Sequence, residues 1–265
     1  IDNSCEVVLI ENGSATSEQK NELQRLDQQW FALQLFFLDE PRHCPWIRSM
    51  VLEHTRGEYI FFLDNDCFFE NNFFPALIAE LEKDSKFGGV APGLLYYPDR
   101  TYQCLGIELE MEDEKHFCPR HLHHGDPHEL CRDMSPFLSD FIPGGCSFFF
   151  CFFLEVCQYD KNLKNLFGDY DLCLQGKRLG YKYLFHPGCW LLHDKNTNCS
   201  EYIQAKAKLS DWLGSVSYFE KKWGLRYFIL QHIEAGRVVL ENGFPRWLPR
   251  SEWPENRVAQ DGVVK

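Results

Sequence analysis

The chain has 265 residues, 25% of them charged, with 27 Lys and Arg against 39 Asp and Glu and a formal net charge of −12. That length suits one large domain with an ordinary core, or one domain with an appendage. The acidic balance argues against a nucleic-acid partner, because neutralising phosphates needs a basic face. The 12 cysteines lack the regular framework of a short disulfide-rich domain. Several of them (Cys146, Cys151, Cys157 and Cys173) lie in apolar stretches, as buried free thiols of a reducing, cytoplasmic compartment do. No segment offers the ~20 apolar residues of a membrane span. The longest candidate, "CSFFFCFFLEVC", is broken by Glu155, so membrane contact is expected only as peripheral association at the inner face. The opening "IDNSCEVVLIENGS" has neither Met nor a basic signal region, and the sequence reads as a piece of a longer chain.

In chain order, Val7 to Ile10 is a β-branched strand that runs into a polar turn at Asn12-Gly13-Ser14. Residues 17–29 carry a helical mix, and "ALQLFFL" reads as a second strand. Pro45 to His54 suits a helix with Pro45 in its first turn. The run Tyr59 to Leu63 is a buried strand ending on Asp64-Asn65-Asp66. Asn72 to Lys83 is an amphipathic helix with Phe74, Leu77, Ile78 and Leu81 on one face. This alternation predicts an α/β domain with a largely parallel sheet. The stretch "GGVAPGLLYYPDRTYQCLGIELE" then reads as two strands around a Pro98-Asp99 turn, and residues 111–135 as a charged, His-rich loop. Further on, "GDYDLCLQGKRLGYKYLFHPGCWLLHD" gives a helix, a stop at Gly180, and strands ending near His193. Residues 200–223 form a long helix whose apolar face holds Tyr202, Ala205, Leu209, Trp212, Leu213, Val216 and Phe219, with Gly224 as its C-cap. The remaining tail is rich in Pro and Trp.

Three groups carry chemistry. Asp64 and Asp66 stand at the carboxyl end of a strand, where open α/β sheets bind ligands. In extended chain they point to the same side, which makes a hard-oxygen site for Mg²⁺ or Mn²⁺. Asp169 and Asp171 open a helix, where they favour the helix dipole and where a carboxylate can also serve as general base. His193 ends an apolar strand, a position that suits a packed histidine or a ligand. In "CPRHLHHGDPHELC", Cys118, His121, His128 and Cys131 could hold Zn²⁺, with His123 and His124 in reserve. The spacing fits no common zinc module, and the segment is expected to be an exposed loop.

These motifs, in this order, resemble the large inverting family-two glycosyltransferases of GT-A fold. "ENGS" stands where the family has D-N-G-S. "IRSMVLEHTRGEYIFFLDND" matches A-R-N-x-G-x-x-x-A-R-G-E-Y-x-x-F-L-D-x-D. "GGVAPGLLYYPD", "IPGGCSFF" and "FGDYDLCLQGKRLGYKYLFHPGCWLLHD" come next, as the family's later motifs do. The resemblance covers roughly residues 5–195. It implies a mixed, mostly parallel sheet flanked by helices, with a transferase core over residues 1–199 and a helical, Trp- and Pro-rich extension over 200–265. It also implies a nucleotide-sugar donor, UDP favoured, and Mn²⁺ or Mg²⁺ as cofactor. The implied acceptor is a glycan, lipid-linked or protein hydroxyl, as in bacterial surface polysaccharide synthesis.

Carried over position by position, Glu11 and Asn12 lie at the nucleobase and Arg48 near the base and diphosphate. Asp64 and Asn65 face the donor, and Asp64, Asp66 and His193 form the metal-diphosphate site. Gly144 and Gly145 lie where the backbone passes the donor sugar, and Asp169 is the base that deprotonates the acceptor. The family's usual opening strand, of the type V-S-I-V-I-P-T-Y-N, and its helix are not in the sequence. Gly168 stands where the family has Glu, and Ser49 and Val51 replace the Asn and Gly after Arg48. The rival reading is a catalytically degenerate GT-A module that binds carbohydrate or a protein partner. A sugar nucleotidylyltransferase would need a Gly-rich basic loop near its start, which is not present.

Overall fold

The computed structural model describes residues 5–29, 32–111, 113–164, 167–194 and 209–227, then 232–233, 235–241, 244–248, 252 and 254. Strand β1 (Val7–Glu11), helix α1 (Ser17–Gln29) and strand β2 (Leu33–Phe37) form the first unit, in which β1 and β2 pair in parallel. A parallel neighbour needs a crossover of a dozen or more residues, and α1 supplies it. Two side chains tie this unit to the chain between His54 and Gly57. The Glu6 carboxylate accepts the backbone N–H groups of Arg56 and Gly57, and Gln34 donates to the carbonyl of His54 at 3.1 Å. Helix α2 (Cys44–Val51) has Pro45 in its first turn, where a missing N–H leaves nothing unsatisfied, and it tightens into a 3₁₀ turn over Leu52–His54.

Strands β3 (Tyr59–Phe61) and β4 (Cys67–Phe68) precede helix α3 (Phe74–Leu81), which buries Leu77 and Leu81. Strand β5 (Phe87–Tyr97) turns back at Pro98-Asp99 into β6 (Tyr102–Cys104), and β7 (Ile107–Met111) comes after it. Next come β8 (His116–His121), the single-turn helix α4 (His128–Cys131), β9 (Phe137–Ser139), β10 (Phe148–Phe150) and α5 (Cys151–Val156). Helix α6 (Gly168–Arg178) leads through Gly180, whose φ is 85°, into β11 (Lys182–Asp194). Helix α7 (Leu209–Trp223), the short strand β12 (Arg226–Tyr227) and the hairpin of β13 (Val238–Glu241) and β14 (Phe244–Trp247) complete the described residues.

The central sheet runs β3-β10-β5-β11-β4, with β6 added to β5 and β9 to β11. The mixed α/β class expected from the sequence is what forms, but parallel pairing does not dominate this sheet. Only β5 and β11 run parallel, and the other pairs are antiparallel. The reason lies in the connections. Five residues join β3 to β4 and eight join β9 to β10, too few for a crossover helix. The parallel pair is also the most deeply buried: Gly88 to Leu95 of β5 is continuously buried, as a strand covered on both faces is.

Residues 111–135, expected as a loop, contain β8 and α4. Strand β8 pairs antiparallel with β7 and parallel with β12. Its single inward anchor is Phe117, 1% exposed, which packs against Phe167, Phe219 and Tyr227. One aromatic among charges leaves no periodicity to read. The helix expected over 200–223 is seen from Leu209, so Tyr202 and Ala205 lie outside the described residues, as does the 199/200 boundary. Its buried face holds Ser215, Val216 and Phe219, whereas Leu213 is 43% exposed. The Ser215 hydroxyl fixes that rotation by accepting the N–H of Lys164 and donating to its carbonyl, both at 2.8 Å.

Gly176 of α6 shows how closely this helix sits on the sheet. A Cβ there would lie 2.0 Å from the Tyr183 hydroxyl and 2.7 Å from Cε2 of Phe153. Gly→Ala in a helix interior ordinarily stabilises by ~1 kcal/mol. Here overpacking reverses the sign, and Gly176→Ala is expected to cost about 1–3 kcal/mol, read as a lower urea midpoint at unchanged slope.

Candidate active site

The chain leaves β3 at Phe61 and turns instead of running extended to Asp66. The N–H of Asp64 bonds to the carbonyl of Gly145 at 2.9 Å, and the N–H of Cys67 bonds to the carbonyl of Asp64 at 3.0 Å. Asp64 and Asp66 therefore do not share a side, as an extended i, i+2 pair would. Their carboxylates serve two different clusters.

Asp64 is held by Arg48, whose Nη2 donates to Oδ1 at 2.9 Å. The guanidinium lies over the rings of Phe62, at 5.8 Å, and Tyr159, at 5.6 Å. Burial alone would lower the pKa of Arg48, but Tyr159, Asp64, Cys44 and Asp169 outweigh it and the net shift is upward. Gly144 and Gly145 lie directly on this pair. A Cβ at Gly144 would be 2.2 Å from Nη1 of Arg48, and one at Gly145 would be 2.0 Å from Oδ2 of Asp64. Close approach to a salt bridge accounts for both glycines. The N–H of Gly144 also donates to Oδ2 of Asp169 at 3.3 Å, and Oδ1 of Asp169 accepts the N–H of Tyr170 at 3.0 Å. Thus α2, the turn after β3, the Gly144-Gly145 loop and the start of α6 converge. Gly168, just before Asp169, has no room for a side chain, since a Cβ would meet Pro45 of α2 at 2.6 Å.

Asp66 belongs to the second cluster. Strand β4 pairs antiparallel with the end of β11, which sets His193 opposite Cys67. Nε2 of His193 lies 3.2 Å from Oδ2 of Asp66, while its Nδ1 meets Oε1 of Gln103 at 2.5 Å. The Gln103 amide and the Asp66 carboxylate thus flank the two ring nitrogens of His193 and fix the orientation of the imidazole. Donor atoms of Asp66, Cys67 and His193 all lie within 4.8 Å of one another. Burial, with Asp66 and Asp64 beside it, pushes the Cys67 thiol pKa well up. The structure thus brings Asp66 and His193 together and keeps Asp64 out of that group. Cys67 and Gln103 were not legible as site residues. Cys67 adjoins the acidic pair, which is a signal, but Gln103 sits in "TYQCLG" with none.

Glu11 and Asn12 are used within the fold. Oε1 of Glu11 accepts the N–H groups of Ser14, at 2.6 Å, and Ala15, at 2.8 Å, and Oε2 pairs with Lys20 at 3.7 Å. Burial would raise its pKa, but these N–H donors and Lys20 hold it below the ordinary value. Asn12 bridges the backbone of Arg42, donating to its carbonyl and accepting from its N–H. Asn65 is exposed in the turn. A cavity of about 610 Å³ lies beyond α2, lined by Ser49, Tyr159 and Asp160 among others, and it includes none of the site carboxylates. The Asp64 side chain is 49% exposed, whereas those of Asp66 and His193 are 14% and 20% exposed.

The four zinc candidates do not converge. His128 is buried against Tyr102 and Trp190, while Cys118 lies on β8 with its thiol toward the carbonyl of Pro119.

The sequence profile described as glycosyl transferase family 2 matches residues 2–156. No curated protein matches the chain. Among solved structures, that of GalNAc-T7 with UDP, GalNAc and Mn²⁺ superposes with a TM-score of 0.59 at 17% identity, covering 88% of this chain and 51% of that one. The mannosyltransferase PcManGT from Pyrobaculum calidifontis, in complex with GDP-Man and Mn²⁺, gives 0.52 at 14% identity, covering 82% and 55%. The likeness is one of fold, the GT-A fold, and the chain spans about half the length of these proteins.

Proposed function

The chain belongs to glycosyl transferase family 2, and from that premise we propose that it transfers a sugar, with inversion, from a nucleotide-diphosphate donor to an acceptor hydroxyl. UDP is the favoured nucleotide, and the favoured acceptor is a glycan or lipid-linked glycan of a bacterial surface polysaccharide. The observation that carries this reading is the meeting of Asp66 and His193. Nε2 of His193 and a carboxylate oxygen of Asp66 come within 3.2 Å of one another, with the other ring nitrogen held by Gln103. Both side chains can ligate an ion, and the Asp66 carboxylate is a hard-oxygen ligand of the kind Mn²⁺ or Mg²⁺ takes. Such an ion, when bound, neutralises the charge that develops on the leaving diphosphate. The similar structures, which hold UDP or GDP-Man together with Mn²⁺, support this donor class and metal.

The chain's own residues supply the rest of the proposal. Arg48 presents a buried, permanently charged guanidinium toward the diphosphate. Asp64, fixed by Arg48, faces the ribose and sugar instead of the ion. Gly144 and Gly145 let the backbone run beside the donor, and Glu11 and Asn12 shape the nucleobase end by holding their own turn. Each oxygen of Asp169 accepts one backbone N–H, which orients the carboxylate and leaves a second lone pair for the acceptor's proton. We place the transferase core in residues 1–199 and an extension in 200–265. Among the described residues no helix is long and apolar enough to cross a membrane, and peripheral contact at the inner membrane face belongs to the proposal.

Calorimetry of UDP binding with and without Mn²⁺ tests this reading on the wild type and on Asp66→Ala. Mn²⁺-dependent binding is expected, weakened in the variant by at least about 10-fold, the scale for disturbing a bound ion's surroundings. Absence of binding for UDP, GDP and dTDP alike would overturn the transferase reading in favour of a degenerate binding module. Binding indifferent to Mn²⁺ would overturn the role of Asp66.

A further inference from the structure

The His-rich segment after β8 holds a second constellation, apart from the donor cluster. Nδ1 of His123, a carboxylate oxygen of Asp126 and Sγ of Cys131 all lie within 4.8 Å of one another. The Nδ1 to Oδ2 distance is 3.0 Å and the Sγ to Nδ1 distance 3.5 Å. We propose that His123, Asp126 and Cys131 form a binding site for a divalent, borderline-soft cation of the zinc class, with a water as fourth ligand.

The first argument is proton counting. Both partners converge on the same ring nitrogen. If Nδ1 carries a proton it donates to Asp126, and the thiol of Cys131 gains no acceptor there. If Nδ1 is bare it can accept from the thiol, but its lone pair then faces a carboxylate. A protonated Nδ1 engages Asp126 and leaves the Cys131 thiol without an acceptor on the ring, whereas one cation takes a lone pair from all three atoms. A nucleophile–His–acid relay would place the acid and the thiol on opposite ring nitrogens, so the geometry does not suit that chemistry.

The second argument is dimensional. Zinc bonds of ~2.0–2.1 Å to nitrogen, ~2.0–2.2 Å to oxygen and ~2.3 Å to sulfur give tetrahedral edges of about 3.4–3.6 Å. The sulfur–nitrogen separation already has that length, and the nitrogen–oxygen contact needs to open by only a few tenths of an ångström. A carboxylate and a thiolate balance a dication's charge, with the imidazole neutral. Cys131 is 3% exposed, and burial raises its thiol pKa, so the free thiol keeps its proton until a metal displaces it. The side chains of His123 and Asp126 are 30% and 48% exposed, which leaves a path for the ion and room for a water.

The third argument is that the backbone presets the site. Residues 123–126 form a tight turn closed by the N–H of Asp126 on the carbonyl of His123, with φ of 54° at His123 and 86° at Gly125. The turn is latched to β6 from both sides: Gly125 N–H bonds to the carbonyl of Tyr102, and Tyr102 N–H bonds to the carbonyl of Asp126, each at 2.8 Å. Helix α4 then delivers Cys131 over it. The same turn touches the donor cluster through one residue, because His124 meets the carbonyl of Gln103 at 2.9 Å and the Gln103 side chain orients His193. A cation here would stiffen the support of His193.

The test is metal retention by the full chain, purified with Zn²⁺ and dialysed, and read by elemental analysis. It is repeated with Co²⁺, whose thiolate complex gives a charge-transfer band in the near ultraviolet. The wild type and Asp66→Ala are both expected to retain zinc and to show the band. Cys131→Ser should lose the band and bind zinc at least about 10-fold more weakly. The exposed Asp126→Asn, which leaves the core untouched, should also weaken binding while circular dichroism stays unchanged. Absence of a cobalt–thiolate band in the wild type would overturn the proposal. So would zinc retention undiminished in Cys131→Ser, or lost only in Asp66→Ala, which would assign the ion to the donor cluster.

Discussion

Replacing Asp169 with Asn is expected to leave a folded protein that still binds UDP with Mn²⁺ but cleaves and transfers from a UDP-sugar about 10²–10⁴ times more slowly, the range for loss of a general base. The substitution keeps the shape of the side chain and one acceptor oxygen. What it removes is the ability to take a proton from the attacking hydroxyl. The surrounding geometry predicts that binding survives. Arg48 is held by Asp64, with Tyr159 and Phe62 against its guanidinium, and Asp169 touches the Gly144 loop through a single N–H at 3.3 Å. Release of UDP from a panel of UDP-sugars, beside calorimetric UDP affinity, separates the two effects. An unchanged rate would place the base elsewhere. A lost affinity with proportionate loss of rate would make Asp169 a binding group.

The second large effect is on stability, and it concerns the neighbouring carboxylate. Asp171 is 0% exposed. Its Oδ1 accepts Nε1–H of Trp223 at 2.8 Å and pairs with Nζ of Lys222 at 2.7 Å, and its Oδ2 accepts from Gln175 at 2.8 Å. Trp223 and Lys222 end α7, so this one carboxylate fastens the last described long helix to α6, the helix that starts with the proposed base. Asp171→Ala leaves the indole N–H of Trp223 without this partner, while the Gln175 amide keeps the carbonyl of Gln158 at 2.9 Å. Removing one partner of a buried ion pair costs ~3–5 kcal/mol. The lower end, about 3 kcal/mol, applies because Lys222 keeps Asp160 at 2.7 Å. The urea midpoint should fall accordingly. A loss below ~1 kcal/mol, the scale of an exposed pair, would show that α7 docks mainly through Val216 and Phe219.

Legibility varied with the range of the interaction. The strand at Val7, the helices at Ser17 and Phe74, the Pro98-Asp99 hairpin and the helix opening at Asp169 could be read because their cues lie within one or two turns of the chain. The strand at His116 could not, because only Phe117 faces inward and its partners Phe167, Phe219 and Tyr227 are 50 to 110 positions away. The direction of pairing was misjudged for a related reason: alternation of helix and strand says nothing about the short β3–β4 and β9–β10 links. At the site, Asp66 and His193 were legible as candidates, and they meet. Asp64 was paired with Asp66 on the assumption of extended chain, and the turn at Asn65 separates them. Of the zinc candidates, only Cys131 and the reserve His123 come together, and the residue that joins them is Asp126.

By itself the sequence determined the α/β class and the residue types that carry chemistry: an acidic turn, an acidic helix start and a late histidine. These follow from local periodicity and from chemistry that a single side chain brings with it. Only the tertiary structure decided which of them touch. It set Asp64 on Arg48, Asp66 on His193, Gln103 behind His193, and a Gly-Gly loop against a salt bridge too close for any Cβ. The physical reason is that each contact joins segments 16 to 127 residues apart, and strand register and loop packing set their distance.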